Sequence, residues 1–391
     1  MNRRPTYDVD LYSNEVVVNP YPHYRAIRDL GEAVWLEQHS MWAIGRHLDA
    51  RNALSAHNIF ISGKGVAANN LSNGNSPGNL LASDPPLHTH LRKVVSKPLH
   101  PKALARIKPR IEASAGSLID RLLARKSFDG ILDLAQFLPI SIVSEMVGLP
   151  DAGRRNMLEY AAAVFDLFGV DNTRTEAALP IVIKMRKYLS EQATRDKVLP
   201  EGWIAGLYDA VDLGLIKQEQ VQTLMRDYLG PSLDTTIFAI GHLLHLFGQY
   251  PDQWKLLRQE PNRVGNAINE AIRLESPIRG FTRVLSQDYT IGGIKLFTGD
   301  RVLILYASAN RDERCWDEPE KFDICRVLTD HVGFGYGIHQ CVGMQLARLE
   351  MRSVLTAMIA RVSKIKILGA PVYAKNNVLR GLETLPIKFS R

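Results

Sequence analysis

Apolar residues recur at three- and four-residue intervals through most of the chain, as they do in helices with one buried face. The stretches "AAVFDLFGV", "VQTLMRDYLGPSLDTTIFAIGHLLHLFGQYP" and "QLARLEMRSVLTAMIARV" show it most clearly. The middle one, Val221 to Gln249, is long enough to cross a whole domain and stops before Pro251. Strand patterning is confined to three places. Residues 33–46 read as a hairpin, 281–307 as several strands separated by Gly-Gly and Thr-Gly-Asp turns, and 372–389 as a weaker third case. The pattern predicts a mainly α fold with a small β region (α+β), its strands drawn from both ends of the chain. The 391 residues are read as one domain. A polar run rich in Gly, Asn and Ser at 62–79 reads as a solvated loop or a functional lid.

Composition narrows the function classes. A hydrophobic share of 46% supports a substantial core, and the net charge of +7 calls for a partner rather than a fold to explain it. No zinc-finger spacing, long basic run or aromatic-glycine RNA signature occurs, so nucleic acid is excluded. Three cysteines, all in the last quarter, make no disulfide framework and fit a reducing, cytoplasmic setting. No secretory segment or eighteen-residue apolar stretch is found, so no membrane is expected.

One cysteine stands out. In "HVGFGYGIHQCVGMQLARLEMRSVLTAM", Cys341 sits at the mouth of a predicted helix among Gly333, Gly335, Gly337 and Gly343, with His339 two residues before it. Glycines permit a tight turn and close approach of a flat ligand, and a helix start favours a thiolate. The glycine spacing is wrong for a dinucleotide loop, and no βαβ unit surrounds it.

Phe334-Gly335-Tyr336-Gly337-Ile338-His339-Gln340-Cys341-Val342-Gly343 resembles the haem-binding signature of the cytochrome P450 family at every defining position. Further family motifs follow in order: "DPPLHTHLR", "GPSLDTT", "EAIRLESP", "FTR", "ANRDERCWDEPEKF" and "FDICR". The likeness runs from "NPYPHYRAIRDLG" to "LRGLETLP" and is strongest to soluble bacterial members that oxidise para-substituted benzoates. It implies a haem-thiolate monooxygenase with a long central helix over a haem b, inserting one oxygen atom from O2 into a small aromatic substrate by hydroxylation or O-demethylation. Cys341 would be the iron ligand, within a loop that includes Phe334 and Gly335, while His88, Arg92, Arg283 and His339 would hold the propionates. Glu270, Arg273 and Arg326 would tie a helix to the segment before the haem loop, and Asp234-Thr235 would deliver protons to dioxygen.

Two departures from the family pattern stand on the central helix. Pro231-Ser232 replace the usual small pair, so proline rather than glycine would bend the axis there. Asp227 stands where the benzoate-oxidising relatives carry a small hydroxyl residue, beside Arg226, and would repel a carboxylate unless protonated or paired, so a neutral phenol, an aryl ether or an amine stays open as the substrate alongside a benzoate. Phe165, Phe168 and Phe238 are candidate pocket aromatics at a spacing that core residues also show.

Between Asp84 and Glu112 lie seven basic residues and no acid: Arg92, Lys93, Lys97, Lys102, Arg106, Lys108 and Arg110. In the family this region flanks the thiolate side, where an acidic ferredoxin, reduced by a NAD(P)H-dependent reductase, would dock on a monomer. Two rivals remain: a peroxide-using haem-thiolate peroxygenase, which typically has an arginine in place of the acid–alcohol pair, and a non-catalytic haem sensor or carrier.

Overall fold

The computed structural model describes residues 4–74, 78–328 and 330–391. Residues 75–77 of the polar run at 62–79 lie outside them; of the rest, Asn70–Gly74 form a short helix. The helices that frame the site are α1 (Leu87–Val95), α2 (Pro101–Leu123), α3 (Asp151–Leu167), α4 (Thr173–Gln192), α5 (Gln218–Leu229), α6 (Asp234–Gln249), α7 (Val264–Leu274) and α8 (Met344–Ile359).

The expected continuous helix from Val221 to Gln249 is two helices. Pro231 has no N–H to give the carbonyl four residues back, so α5 closes at the Gly230 N–H bond to Arg226 O (3.1 Å), and α6 starts afresh at Asp234. Hydroxyls cover carbonyls left at the break: Ser232 Oγ donates to Tyr228 O, and Thr235 Oγ1 to Pro231 O at 2.9 Å. Beyond the break, α6 is apolar on nearly all sides, and twelve of its residues are buried.

The two chain ends meet in one six-stranded sheet. Its strands are β1 (Thr6–Tyr7), β2 (Val34–Leu36), β3 (Met41–Ile44), β4 (Phe60–Ile61), β5 (Phe281–Leu285) and β6 (Arg301–Ile304), in the spatial order β1-β2-β3-β6-β5-β4. The hairpin expected at 33–46 is present, with Trp35 opposite Trp42, and β3 joins β6 in parallel through Ala43 opposite Leu303. The Gly292-Gly293 turn links two short strands, both glycines at positive φ, as expected for 281–307.

Strands were more widespread than the patterning suggested. The expected strands at 372–389 are present, and the last of them, Pro386–Ser390, forms a second sheet with the unanticipated Lys364–Ile367 and Phe128–Asp129; the pairs at Thr6, Phe60 and Phe128 are too short to show alternation. Gly130–Val147 is also an eighteen-residue apolar run that the sequence reading passed over, and more than half of it is buried in the core.

Candidate active site

A single internal cavity dominates the described residues, with about 2090 Å³ of empty space including its mouth. Its floor is the cysteine loop and its roof is the α5–α6 break. Thr235, Thr236 and Ala239 line it from α6, as the helical repeat places i and i+4 on one face.

The loop reaches its shape through glycine. Gly335 and Gly337 both take φ near +70, and a Cβ on Gly337 would lie 2.6 Å from the Leu54 carbonyl oxygen. Gly335 N–H bonds Val332 O (2.8 Å), and Cys341 N–H bonds Phe334 O (2.8 Å), so the chain doubles back and sets Cys341 just ahead of α8. The surface that Cys341 keeps free faces the cavity rather than outside solvent. Burial pushes its thiol up, while N–H groups of Gly343 and Met344 and the charges of Arg92 and Arg348 pull the other way. Arg348, which the sequence reading missed, also lies over the Phe334 ring (5.2 Å). Its place seven residues after Cys341, two helical turns on, was a usable signal.

Four donors gather at the edge of the same floor. His88 and His339 have ring centroids 4.3 Å apart, and neither nitrogen of His88 nor Nε2 of His339 has a partner. Burial, with Arg283 and His88 close by, drives His339 down to about 2, and burial with Arg92 lowers His88. Arg283 is buried and lines the cavity; Arg92 lines it too and donates to Gln340 O at 2.7 Å. Arg283 also donates to Thr282 O (2.8 Å), so the unpartnered nitrogens are those of the two histidines, and buried imidazoles left without an acceptor beside two guanidiniums call for an anion. A thiol beneath an apolar slot, with unpartnered donors for two carboxylates at its edge, fits a haem.

Glu270, Arg273 and Arg326 meet as expected. Arg273 bonds Glu270 twice (2.7 and 2.9 Å) and Arg326 Nε bonds it at 3.2 Å. Arg273 also reaches the carbonyls of Asn310 and Pro319, which ties α7 to the segment before the loop.

Asp234 and Thr235 part company. Thr235 lines the cavity, whereas the buried Asp234 lies behind it, with no partner for Oδ2. Burial, then the charge of Asp166, pushes Asp234 up to about 7.

Nine and eight residues before Thr235, Arg226 and Asp227 line the same cavity. Asp227 Oδ2 accepts the Leu80 N–H at 2.9 Å, and burial holds the acid up to about 7 against that bond and the Arg226 charge. Arg226 bonds Thr223 Oγ1 (3.2 Å), and burial, then the charge of Arg186 on α4, lowers it. Phe165 and Phe168 line the cavity, 6.3 Å apart, together with Phe281, which was not anticipated. Phe238 does not line it. Three residues on from Thr235, it turns to the 379–382 segment, where a Cβ on Gly381 would overlap its ring.

Comparison with known proteins agrees with this geometry. The Cytochrome P450 family profile matches residues 166–365. Cytochrome p450 CYP199A2 of Rhodopseudomonas palustris is 36% identical over 99% of this chain and 95% of its own. The chain belongs to the cytochrome P450 family. Linalool 8-monooxygenase of Pseudomonas putida is 28% identical over 99% of both chains. The crystal structure of CYP109B1 from Bacillus subtilis superposes with a TM-score of 0.80 at 27% identity, covering 97% of this chain and all of that one. This P450 is therefore a monooxygenase with haem b as its cofactor.

Proposed function

We propose that this P450 oxidises a small aromatic acid, by hydroxylation or O-demethylation at the group opposite the carboxylate, with all 391 residues working as one catalytic unit. The cavity carries this reading. Phe165, Phe168 and Phe281 give it aromatic walls, and Arg226 supplies a cation nine residues up the chain from Thr235. Asp227 is compatible with that charge because one of its oxygens is already held by Leu80 and its raised pKa leaves it partly protonated near neutral pH.

Haem held by Cys341 supplies dioxygen activation and oxygen transfer. The chain supplies placement and protons. Arg226 orients the substrate carboxylate, the phenylalanines hold the ring flat and keep water out, and Thr235, whose hydroxyl bonds the Pro231 carbonyl at rest (2.9 Å), turns it to the cavity to give up its proton. Asp234, buried behind it, returns the proton that Thr235 gives up. An acid–alcohol pair is what a dioxygen-using enzyme needs, and it favours that reading over a peroxygenase or a haem carrier.

Electrons would come from an acidic ferredoxin. The helix α2 packs on α8, which follows Cys341, so the basic face lies on the thiolate side. Of the seven cations, Arg92 turns inward, Arg110 pairs with Glu145 and Lys108 with Glu112. Lys93, Lys97, Lys102 and Arg106 stay exposed, with no ion pair among the described residues, and form the docking charge.

An optical titration of the haem-loaded ferric protein tests the substrate class. A 4-alkoxybenzoate should drive the low- to high-spin shift at a concentration where the matching neutral alkoxybenzene does not. The reverse order would overturn the aromatic-acid assignment. Turnover with a ferredoxin system, and not with hydrogen peroxide alone, should accompany the first result.

A further inference from the structure

Asp234 is the buried end of a pair. Its side chain is 4% exposed, Oδ2 accepts no hydrogen bond, and no cation faces it. The one charged group acting on it is Asp166, in the last turn of α3, which packs on α6. Asp166 is only half-buried, so it stands nearer to solvent than Asp234 does.

The surroundings of Asp166 hold it in place and leave an oxygen free. Oδ1 accepts the Asn377 N–H at 2.8 Å, while Oδ2 accepts no hydrogen bond among the described residues. Its carbonyl takes Asn377 Nδ2 (2.7 Å) and Thr175 Oγ1 (3.1 Å). Arg174 of α4 and Arg279 are the cations that face it, and both bind Asn377 rather than the Asp166 carboxylate. Arg174 reaches on to Asn14 at the surface. The acid is therefore oriented by a backbone N–H and kept out of a tight ion pair.

Resting on the role given above to Asp234, we infer that Asp166 is a positioning residue that reloads Asp234 with protons drawn from solvent. Asp234 gives its O–H proton to Thr235 Oγ1 as Thr235 passes its own into the cavity. Asp166, ionised at rest, then takes a proton from water and passes it to the Asp234 carboxylate, so Asp166 ends ionised and Asp234 ends protonated, as they began. Burial raises Asp166 to about 6 and Asp234 to about 7. Asp166 thus ionises first, and its charge is what Asp234 feels. A donor slightly more acidic than the group it reloads transfers without an uphill step.

The experiment compares Asp166→Asn, Asp166→Glu and Asp234→Asn in the haem-loaded protein. Asparagine keeps an oxygen for the Asn377 N–H, so Asp166→Asn should fold, which its haem absorbance and melting would verify. Infrared difference titration of protonated carboxyls, from about pH 5 to about pH 9, reads the acids directly, without turnover. Asp227 and Glu350 also titrate in this window, so the upper titration is taken as the component near 7 that Asp234→Asn deletes, and Asp166→Asn should keep it with its midpoint lowered by about one pH unit. Turnover in Asp166→Asn should fall roughly tenfold with a larger solvent isotope effect, and Asp166→Glu should restore most of it. An upper midpoint that stays put in folded Asp166→Asn overturns the inference, as does unchanged turnover. Full activity in Asp234→Asn would instead overturn the proton role of Asp234 itself, which separates the two failures.

Discussion

Glu270 and Asp234 are both enclosed carboxyls on helices beside the haem cavity, and their surroundings are opposite. Glu270 receives four N–H groups, two from Arg273, one from Arg326 and one from the Asp323 backbone. Its neighbour Glu275 takes the Tyr21 hydroxyl (2.8 Å), Arg311 (2.9 Å) and Arg380. Burial alone would raise Glu275, yet Arg380 and Arg311 bring it down to about 2. Three other acids show the opposite: Asp227 in the cavity, Asp234 behind it and Glu350 buried on α8. Asp234 and Glu350 have buried carboxyl oxygens without partners, Asp227 has one N–H, and burial lifts these three to about 7, 8 and 7. The saturated acids clamp chain segments together, while the unsaturated ones sit where a proton can be held or moved.

The largest loss should come from breaking a clamp. Glu270→Ala leaves Arg273, which has no exposed side-chain surface, without a counter-charge. Removing one partner of a buried pair costs about 3–5 kcal/mol. Chemical denaturation of the haem-loaded protein should show that loss, together with weaker haem retention. A loss below about 1 kcal/mol would mean that the carbonyls around Arg273 suffice, and the contrast drawn above would weaken.

Asp234→Asn should do the reverse. Turnover should fall roughly a hundredfold with little change in substrate affinity, while stability at about pH 8 holds or rises. The gain follows from removing an acid that must ionise in an unfavourable place. A stability loss as large as that of Glu270→Ala would make Asp234 a clamp as well.

Glu350 tests the unsaturated class through pH alone. Its folded value of about 8 lies above the ordinary 4.5, so the folded state holds a proton that the unfolded chain releases between those values. Stability from this group is therefore fully present below about pH 4.5 and falls as pH rises to about 8. Glu350→Gln removes that slope. The variant should match the parent near pH 4 and exceed it by on the order of 5 kcal/mol near pH 9. Equal stability at both ends would show that Glu350 has a partner after all.

The contrast between the two classes was only half visible in the sequence. The clamp could be read because Glu270-x-x-Arg273 lies within one helical turn and Arg326 falls in a recognisable stretch. The glycine-cysteine loop was equally legible, since its turns demand glycine locally. The proline at 231 was read as a bend where it is a break, because the sequence does not say whether a helix recovers on the same axis. Phe238 misled because helical spacing alone leaves open which face meets the cavity. Asp166, Arg186 and Leu80 were out of reach for another reason. Each acts on a residue tens of positions away, Leu80 on Asp227 across 147, and single-chain patterning carries no such pairing.

Asp227 gives the smallest and most discriminating test. It combines the two classes: one oxygen is bonded by Leu80, and the group still sits at about 7, in the cavity and next to Arg226. Below that value it is neutral and leaves Arg226 to a substrate carboxylate; above it, its charge competes for the same guanidinium. Affinity for a 4-alkoxybenzoate should therefore weaken as pH rises through about 7, by up to about tenfold, which is what about 1.4 kcal/mol amounts to. Asp227→Asn keeps an oxygen for the Leu80 N–H and removes the charge, so its affinity should be flat across the same range and match the parent only at the acid end. The neutral alkoxybenzene, with no charge for Asp227 to oppose, should show no slope in either protein. A slope that survives in Asp227→Asn would place the titrating group elsewhere, with Asp234 and its unpartnered oxygen next to be substituted.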